Sequence, residues 1–223
     1  DREGLESLAP LAGPLVDLPP FIDPSQIPER QRRPSRAAPR IGVAAMMRPG
    51  NKLESYVVLS QVLQMLLDLP WRLAIMGDGP ARADVLSAFS PIPPDRIDWM
   101  GELEPEAVVD ALGACDLYVW PGIGEAYGLA YLEAQCMGLP VVAQDTGGVS
   151  AVVRPNETGW LTPPGDLGAF ADAVRRLLLD ADLRNAMGDA ASRFVREQRN
   201  VEMAAAILGA TIGTVVGRGG AVG

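Results

Sequence analysis

Glu125 and Glu133 stand eight residues apart in the run Gly124-Glu-Ala-Tyr-Gly-Leu-Ala-Tyr-Leu-Glu-Ala-Gln-Cys-Met-Gly-Leu-Pro140, across the expected start of a helix. From Tyr127 to Met137 the side chains are apolar almost all round, so a helix there has no broad solvent face for a glutamate. An ionised carboxylate in a low-dielectric interior must find partners or neutralise. Glu133 is therefore a group in need of hydroxyls, amides or a cation. Glu125 precedes Tyr127-Gly128-Leu129, and the free N–H groups of the helical turn beginning there are a ready place for a phosphate. One carboxylate ahead of an anion site and one behind it match the polarity of a nucleotide sugar: hexose, diphosphate, then a ribose diol that a carboxylate holds by two hydrogen bonds. On spacing alone, the alternative is one loop glutamate and one glutamate in a helix-to-core salt bridge.

Such a site needs a scaffold. From residue 41 onward strand and helix patterns alternate, which predicts an α/β domain with a mostly parallel sheet and helices on both faces. Strands are predicted at 41–47, 71–76, 96–100, 116–120 and 139–143, with a weaker one at 159–161. Helices are predicted at 53–69, 81–89, 105–112, 127–137, 167–179 and 182–199, with Asp166 an N-cap and Gly138 a stop. Ligands on open sheets of this type bind beyond the carboxyl ends of the strands. Arg48, Gly77, Gly101, Pro121 to Glu125 and Thr146 to Gly148 all follow predicted strands and converge on that edge. Gly77-Asp-Gly79 and Gly147-Gly148 read either as turns that let backbone approach a ligand or as simple loop geometry. Trp99 and Trp120 read as core. The chain divides into a leader and interdomain linker at 1–40, the α/β domain at 41–200, and a C-terminal helix with a flexible tail at 201–223.

Several segments, taken in order, resemble retaining glycosyltransferases of GT-B architecture, in particular glycosyltransferase family 4. Glu125 and Glu133 match its Glu-x7-Glu motif, and Ile41-Gly-Val-Ala-Ala-Met-Met-Arg48 with Lys52 is similar to the strand and loop that hold the donor diphosphate. Trp71-Arg-Leu-Ala-Ile-Met-Gly-Asp-Gly-Pro80 resembles the next strand and its turn, and Ile97-Asp-Trp-Met-Gly101 the segment beside the nucleobase. Leu139-Pro-Val-Val-Ala143, Gly147-Gly148 and Glu157-Thr-Gly-Trp-Leu161 complete the set, and Leu18-Pro-Pro-Phe-Ile-Asp23 resembles the crossing segment that enters the second domain. The Arg48-to-Lys52 loop is one residue shorter than the usual spacing, and Ser150-Ala151 stands where the family often has Pro-Glu.

The resemblance implies a Rossmann-like, doubly wound domain that is the C-terminal half of a GT-B fold. It also implies a nucleoside diphosphate sugar as substrate, with UDP, GDP and ADP left open, and no cofactor or metal. Arg48 and Lys52 would then stabilise charge on the leaving diphosphate, the first as a fork and the second as a point charge. Glu125 would touch sugar hydroxyls and Glu133 the ribose. Tyr127, Gly128 and Leu129 would lie at the phosphates, Gly77 in the ligand-edge turn, and Met100, Gly101 and Glu102 at the base. A GT-B enzyme has two domains, so an N-terminal acceptor-binding domain is expected to be missing or separate, and the isolated chain to be inactive. The alternative is a noncatalytic nucleotide- or sugar-nucleotide-binding module that acts through a partner protein.

Composition narrows the partners. A net charge of −9 argues against nucleic acid, which needs a basic surface. Arg30, Arg32, Arg33, Arg36 and Arg40 cluster among prolines and read as a solvated interdomain linker, or as a peripheral contact with anionic lipid in the full enzyme. No apolar run reaches the ~20 residues that span a bilayer. Cys115 and Cys136 read as small core residues, which favours a reducing cytoplasm as the location. The chain has no histidine, so His-based triads and His metal sites are excluded within it. Its one Asp-x-Asp pair, Asp180-Ala-Asp182, falls between two predicted helices and reads as a cap.

Overall fold

A computed structural model describes residues 16–29 and 36–219, with side chains to Thr214. Strands β1 (Arg40–Ala44), β2 (Arg72–Met76), β3 (Ile97–Gly101), β4 (Leu117–Val119), β5 (Val141–Gln144) and β6 (Gly159–Thr162) form one sheet in the order β3-β2-β1-β4-β5-β6. Every pairing is parallel. Parallel strands are buried on both faces and so read as continuous apolar runs; all of β4 and β5 is buried, and all of β2 except Arg72.

The helices are α1 (Asn51–Gln64), α2 (Arg82–Phe89), α3 (Pro105–Gly113), α4 (Leu129–Cys136), α5 (Val149–Val152), α6 (Leu167–Leu179), α7 (Ala181–Gln198) and α8 (Val201–Gly219). The chain steps from β1 to β2 to β3 in one direction and from β4 to β5 to β6 in the other. Right-handed crossovers therefore place helices on opposite faces, which is the doubly wound arrangement. On one side α1 packs against α2 and α6, while elsewhere α4 packs against α7. Trp71, Trp120, Tyr56, Tyr118, Tyr131, Phe89 and Phe170 fill the core, with Tyr56 and Trp120 edge to face at 4.8 Å.

Element types follow the sequence reading, but some ends move. Helix α6 has the predicted bounds because its N-cap is a good one: Asp166 accepts the Ala169 N–H at 2.9 Å. Asp180 caps α7 in the same way, through Leu183, which gives half of the Asp-x-Asp pair the expected role. Helix α1 stops at Gln64 rather than at residue 69, because the chain tightens into i to i−3 bonds such as Leu66 N–H to Leu63 O. Helix α4 starts two residues later than expected. Gly128 adopts a left-handed φ of 71°, which keeps Tyr127 out of the helix. The expectation of a helix buried all round is corrected there, since Tyr127 is 66% exposed and Leu129 47%. The four-residue helix α5 was not predicted.

The leader packs on the C-terminal part of the domain. The Ile22 N–H donates to Arg199 O, and the Arg196 guanidinium donates to the carbonyls of Pro24, Ile27 and Cys136. Of the arginine cluster, Arg30, Arg32 and Arg33 lie outside the described residues. The other two are engaged rather than freely solvated, with Arg36 donating to Ala114 O and Arg40 paired with Asp98 at 2.8 Å. Among the described residues no helix is long and apolar enough to cross a membrane.

Candidate functional site

In a doubly wound sheet the connections leaving neighbouring strands diverge where the strand order reverses, and this opens a crevice at their carboxyl ends. Here the reversal lies between β1 and β4. The chain leaving β1 (Ala44–Met46), β2 (Gly77, Asp78) and β3 (Glu102, Leu103) meets Lys52 of α1, Glu125 beyond β4, and Tyr127 to Ala130 at the start of α4 around a cavity of about 420 Å³. Tight backbone contacts build this edge. The Ala45 and Met47 N–H groups donate to Met76 O and Asp78 O at 3.0 and 2.9 Å. A side chain at Gly77 would overlap the Ala45 carbonyl oxygen, and one at Gly79 that of Met47. Of the two readings of these glycines, loop geometry therefore explains their residue type, although Gly77 also lines the cleft.

Lys52 and Glu125 meet across the crevice. Nζ donates to Glu125 Oε2 at 2.7 Å, and the side chains are 32% and 21% exposed. The ammonium also lies 5.7 Å from the Trp120 ring centroid. Two supports fix the Glu125 loop. The buried hydroxyl of Ser55, one turn along α1 from Lys52, accepts the Ile123 N–H at 3.1 Å. From the other side the Gly148 N–H donates to Glu125 O at 3.1 Å, and side chains at Gly147 or Gly148 would strike the carbonyl oxygens of Glu125 or Ala126. The Gly-Gly pair thus lets the β5–α5 turn approach the loop that carries the carboxylate. At the start of α4 the Leu129 and Ala130 N–H groups have no acceptor among the described residues, so the first turn presents free donors to the cleft.

Glu133 lies in an adjoining cavity of about 570 Å³, whose walls include Asp23, Ile27, Leu103, Val108 and Met137. Leu103 and Val108 line both cavities, so the two adjoin along a shared wall and are together called the groove, with Glu125 at one cavity and Glu133 at the other. The alternative of a helix-to-core salt bridge does not hold for Glu133, because among the described residues its carboxylate has no hydrogen bond or ion pair. The physical consequence is electrostatic: burial without a partner pushes its pKa up.

The remaining predicted residues divide. Tyr127, Gly128, Leu129, Gly77 and Glu102 line the cleft with Lys52 and Glu125. Arg48 does not; it sits exposed on the loop between Met46 and Gly50, four residues before Lys52. Met100 packs half-buried against the core, and the Gly101 carbonyl accepts the Gly77 N–H at 2.7 Å, so neither lines the groove. Leu103 and Val108 take the place next to Glu102. Their signal in the sequence was the apolar residue two beyond a strand end and the apolar face of the next helix, neither of which carries chemistry of its own. Cys115 and Cys136 are buried and not joined in a disulfide, and burial pushes the Cys136 thiol up to about 11. Among the described residues no group of three His, Cys, Asp or Glu side chains gathers where it could hold a metal ion.

Comparison with known proteins places this geometry. Residues 38–180 match the family model described as glycosyl transferases group 1. Sulfoquinovosyl transferase SQD2 of Arabidopsis thaliana is 33% identical over 141 residues, which are 62% of this chain and 27% of that protein. Sucrose-phosphate synthase of Thermosynechococcus elongatus shares the fold with a TM-score of 0.74 at 22% identity, over 97% of this chain and 57% of that one. The C-terminal domain of a group 1 glycosyl transferase family protein (LpcC) of Francisella tularensis aligns with a TM-score of 0.63 at 18% identity, over 81% of this chain and 99% of that domain. The chain spans between 20% and 37% of the length of the curated relatives it matches. Matched over well more than half its length by the family model and carrying the fold of GT-B enzymes, this chain belongs to the group 1 glycosyl transferases.

Proposed function

We propose that the chain binds the donor of a retaining glycosyltransferase, a hexose-type sugar on a nucleoside diphosphate, with the acceptor held by a further domain. The observation that carries this reading is that one cation, two carboxylates and a helix N-terminus line two adjoining cavities, which supports a ligand with a diphosphate flanked by hydroxyl-bearing groups. Lys52 and the Leu129 and Ala130 N–H groups face the diphosphate. Glu125 takes the hexose hydroxyls, and the unpartnered Glu133 takes the ribose diol. Leu103 and Val108 supply apolar surface between the two halves.

In the reaction the bond from the anomeric carbon to the phosphate oxygen breaks, and a bond to the acceptor oxygen forms on the same face. The departing phosphate oxygen takes the acceptor proton. Negative charge grows on the diphosphate, so a cation and helix amides already aimed there lower the barrier without reorganising. Glu125 fixes the sugar so that the anomeric carbon faces the acceptor. The supporting experiment is calorimetric titration with UDP, GDP and ADP and with the glucose conjugates of each. One nucleotide is expected to bind selectively and to be lost in Glu133→Ala. Absence of binding by all six refutes the reading.

A further inference from the structure

Glu133 shares its cavity with a stretch of chain that precedes the α/β domain. Ile22, Asp23, Gln26 and Ile27 of the leader line it, together with residues of α3, of the connection before α3, and of α4 and its end. The walls carry three carboxylates, Asp23, Glu106 and Glu133, and no lysine or arginine. Such walls repel phosphate and suit the uncharged, hydroxyl-bearing part of a nucleotide. The leader is held in place there. Asp23 caps the short 3-10 turn Pro24–Gln26 by accepting the Ser25 N–H at 2.9 Å, the Ile22 N–H donates to Arg199 O at 2.9 Å, and Ile27 is 7% exposed. Arg196 of α7 is the joint. Its guanidinium donates to Pro24 O and Ile27 O at 3.3 and 3.0 Å and to Cys136 O at 3.4 Å. Cys136 ends α4, three residues beyond Glu133. One side chain therefore ties the leader to the helix that carries Glu133, without itself lining the cavity.

We propose that the leader turn is a wall of the nucleoside half of the site and that Arg196 is its positioning residue, so that seating of the leader and binding of the nucleotide strengthen each other. The inference rests on the donor-site reading above and adds to it a segment outside the α/β domain. Ile22 and Ile27 supply apolar surface for the nucleoside to bury. The same wall keeps water from Glu133, where hydrogen bonds from a diol to the carboxylate are then stronger. Coupling of this kind is reciprocal: the factor by which a seated leader raises nucleotide affinity is the factor by which bound nucleotide favours the seated leader.

The test joins calorimetric titration with UDP, GDP and ADP to hydrogen exchange at the Ile22 amide, followed with and without whichever nucleotide binds. Arg196→Ala is expected to bind that nucleotide about fivefold more weakly than wild type, the lower end of ordinary coupling between sites. In the wild type, saturating nucleotide is expected to slow exchange at Ile22 by about the same factor. Arg196→Lys keeps the charge but cannot fork to both sides of the joint, and should fall between the two. Arg184→Lys is the control for a loss of structure alone. Arg184 is buried and also donates to helix-end carbonyls, those of Leu177 and Leu178, but lies outside both cavities. It should lower the melting temperature and leave affinity unchanged. Exchange at Ile22 in the wild type needs no variant and decides the matter if Arg196→Ala does not fold. Wild-type affinity in both Arg196 variants, an equal loss of affinity in Arg184→Lys, or Ile22 exchange indifferent to saturating nucleotide overturns the inference and leaves the donor-site reading standing. No binding of any nucleotide to the wild type overturns both.

Discussion

Ser55→Ala tests how the site is held together. Its hydroxyl is fully buried, donates to Asn51 O at 2.8 Å and accepts the Ile123 N–H at 3.1 Å. It therefore joins the helix that carries Lys52 to the loop that carries Glu125, two residues beyond Ile123. Alanine is a better helix former by up to about 0.5 kcal/mol, but it leaves the Ile123 N–H without an acceptor, which costs about 1 to 3 kcal/mol. The net loss is about 1 to 2 kcal/mol, or a melting temperature lower by about 2 to 8 °C for a domain of this size. Loosening the loop should also weaken binding of the nucleotide that the wild type prefers. Ser60→Ala is the control: Ser60 is equally buried and donates to Ala88 O at 2.7 Å, but on the side of α1 facing α2, away from the groove. It should lower the melting temperature comparably with ligand affinity unchanged. Calorimetric melts and titrations on the two variants read both quantities. A Ser55→Ala protein that melts within a degree of wild type, or one that loses no more affinity than Ser60→Ala, refutes the reasoning.

Three further outcomes follow from the structure. Burial raises the pKa of Glu133 in the folded chain, so its favourable contribution is fully present below the ordinary glutamate value and is lost as pH rises through the raised one. Glu133→Gln should therefore gain stability relative to wild type between about pH 4 and neutrality, and denaturant melts showing a constant difference over that range would contradict this. Gly148→Ala has an ordinary φ of −84° but drives its side chain into the Ala126 carbonyl. It should cost about 1 to 3 kcal/mol as overpacking and weaken ligand binding by displacing Glu125, which melting and titration together would detect. Asp180→Ala removes the acceptor of the Leu183 N–H and should cost about 1 kcal/mol, with nucleotide affinity unchanged because the cap is remote from the groove.

What the sequence determined is what depends on neighbours a few residues away. Apolar runs such as Leu73 to Met76 and Val141 to Ala143 could be satisfied only as buried strands, and Asp166 set the start of α6 by a bond to a residue three positions on. That Glu125 follows a strand and Glu133 lies within the next helix was legible for the same reason. Tertiary structure decided the rest. It paired Lys52 with a carboxylate 73 positions along the chain and delayed α4 to Leu129 behind the left-handed Gly128. It also left Arg48 exposed, gave Glu133 no partner among the described residues, and set Leu103 and Val108 in the wall that both cavities share. Propensity, capping and burial pattern are written within one or two turns of chain, whereas the groove exists because the strand order reverses between β1 and β4. That reversal sets side chains from four separate connections against one another, and no local signal records the distances between them.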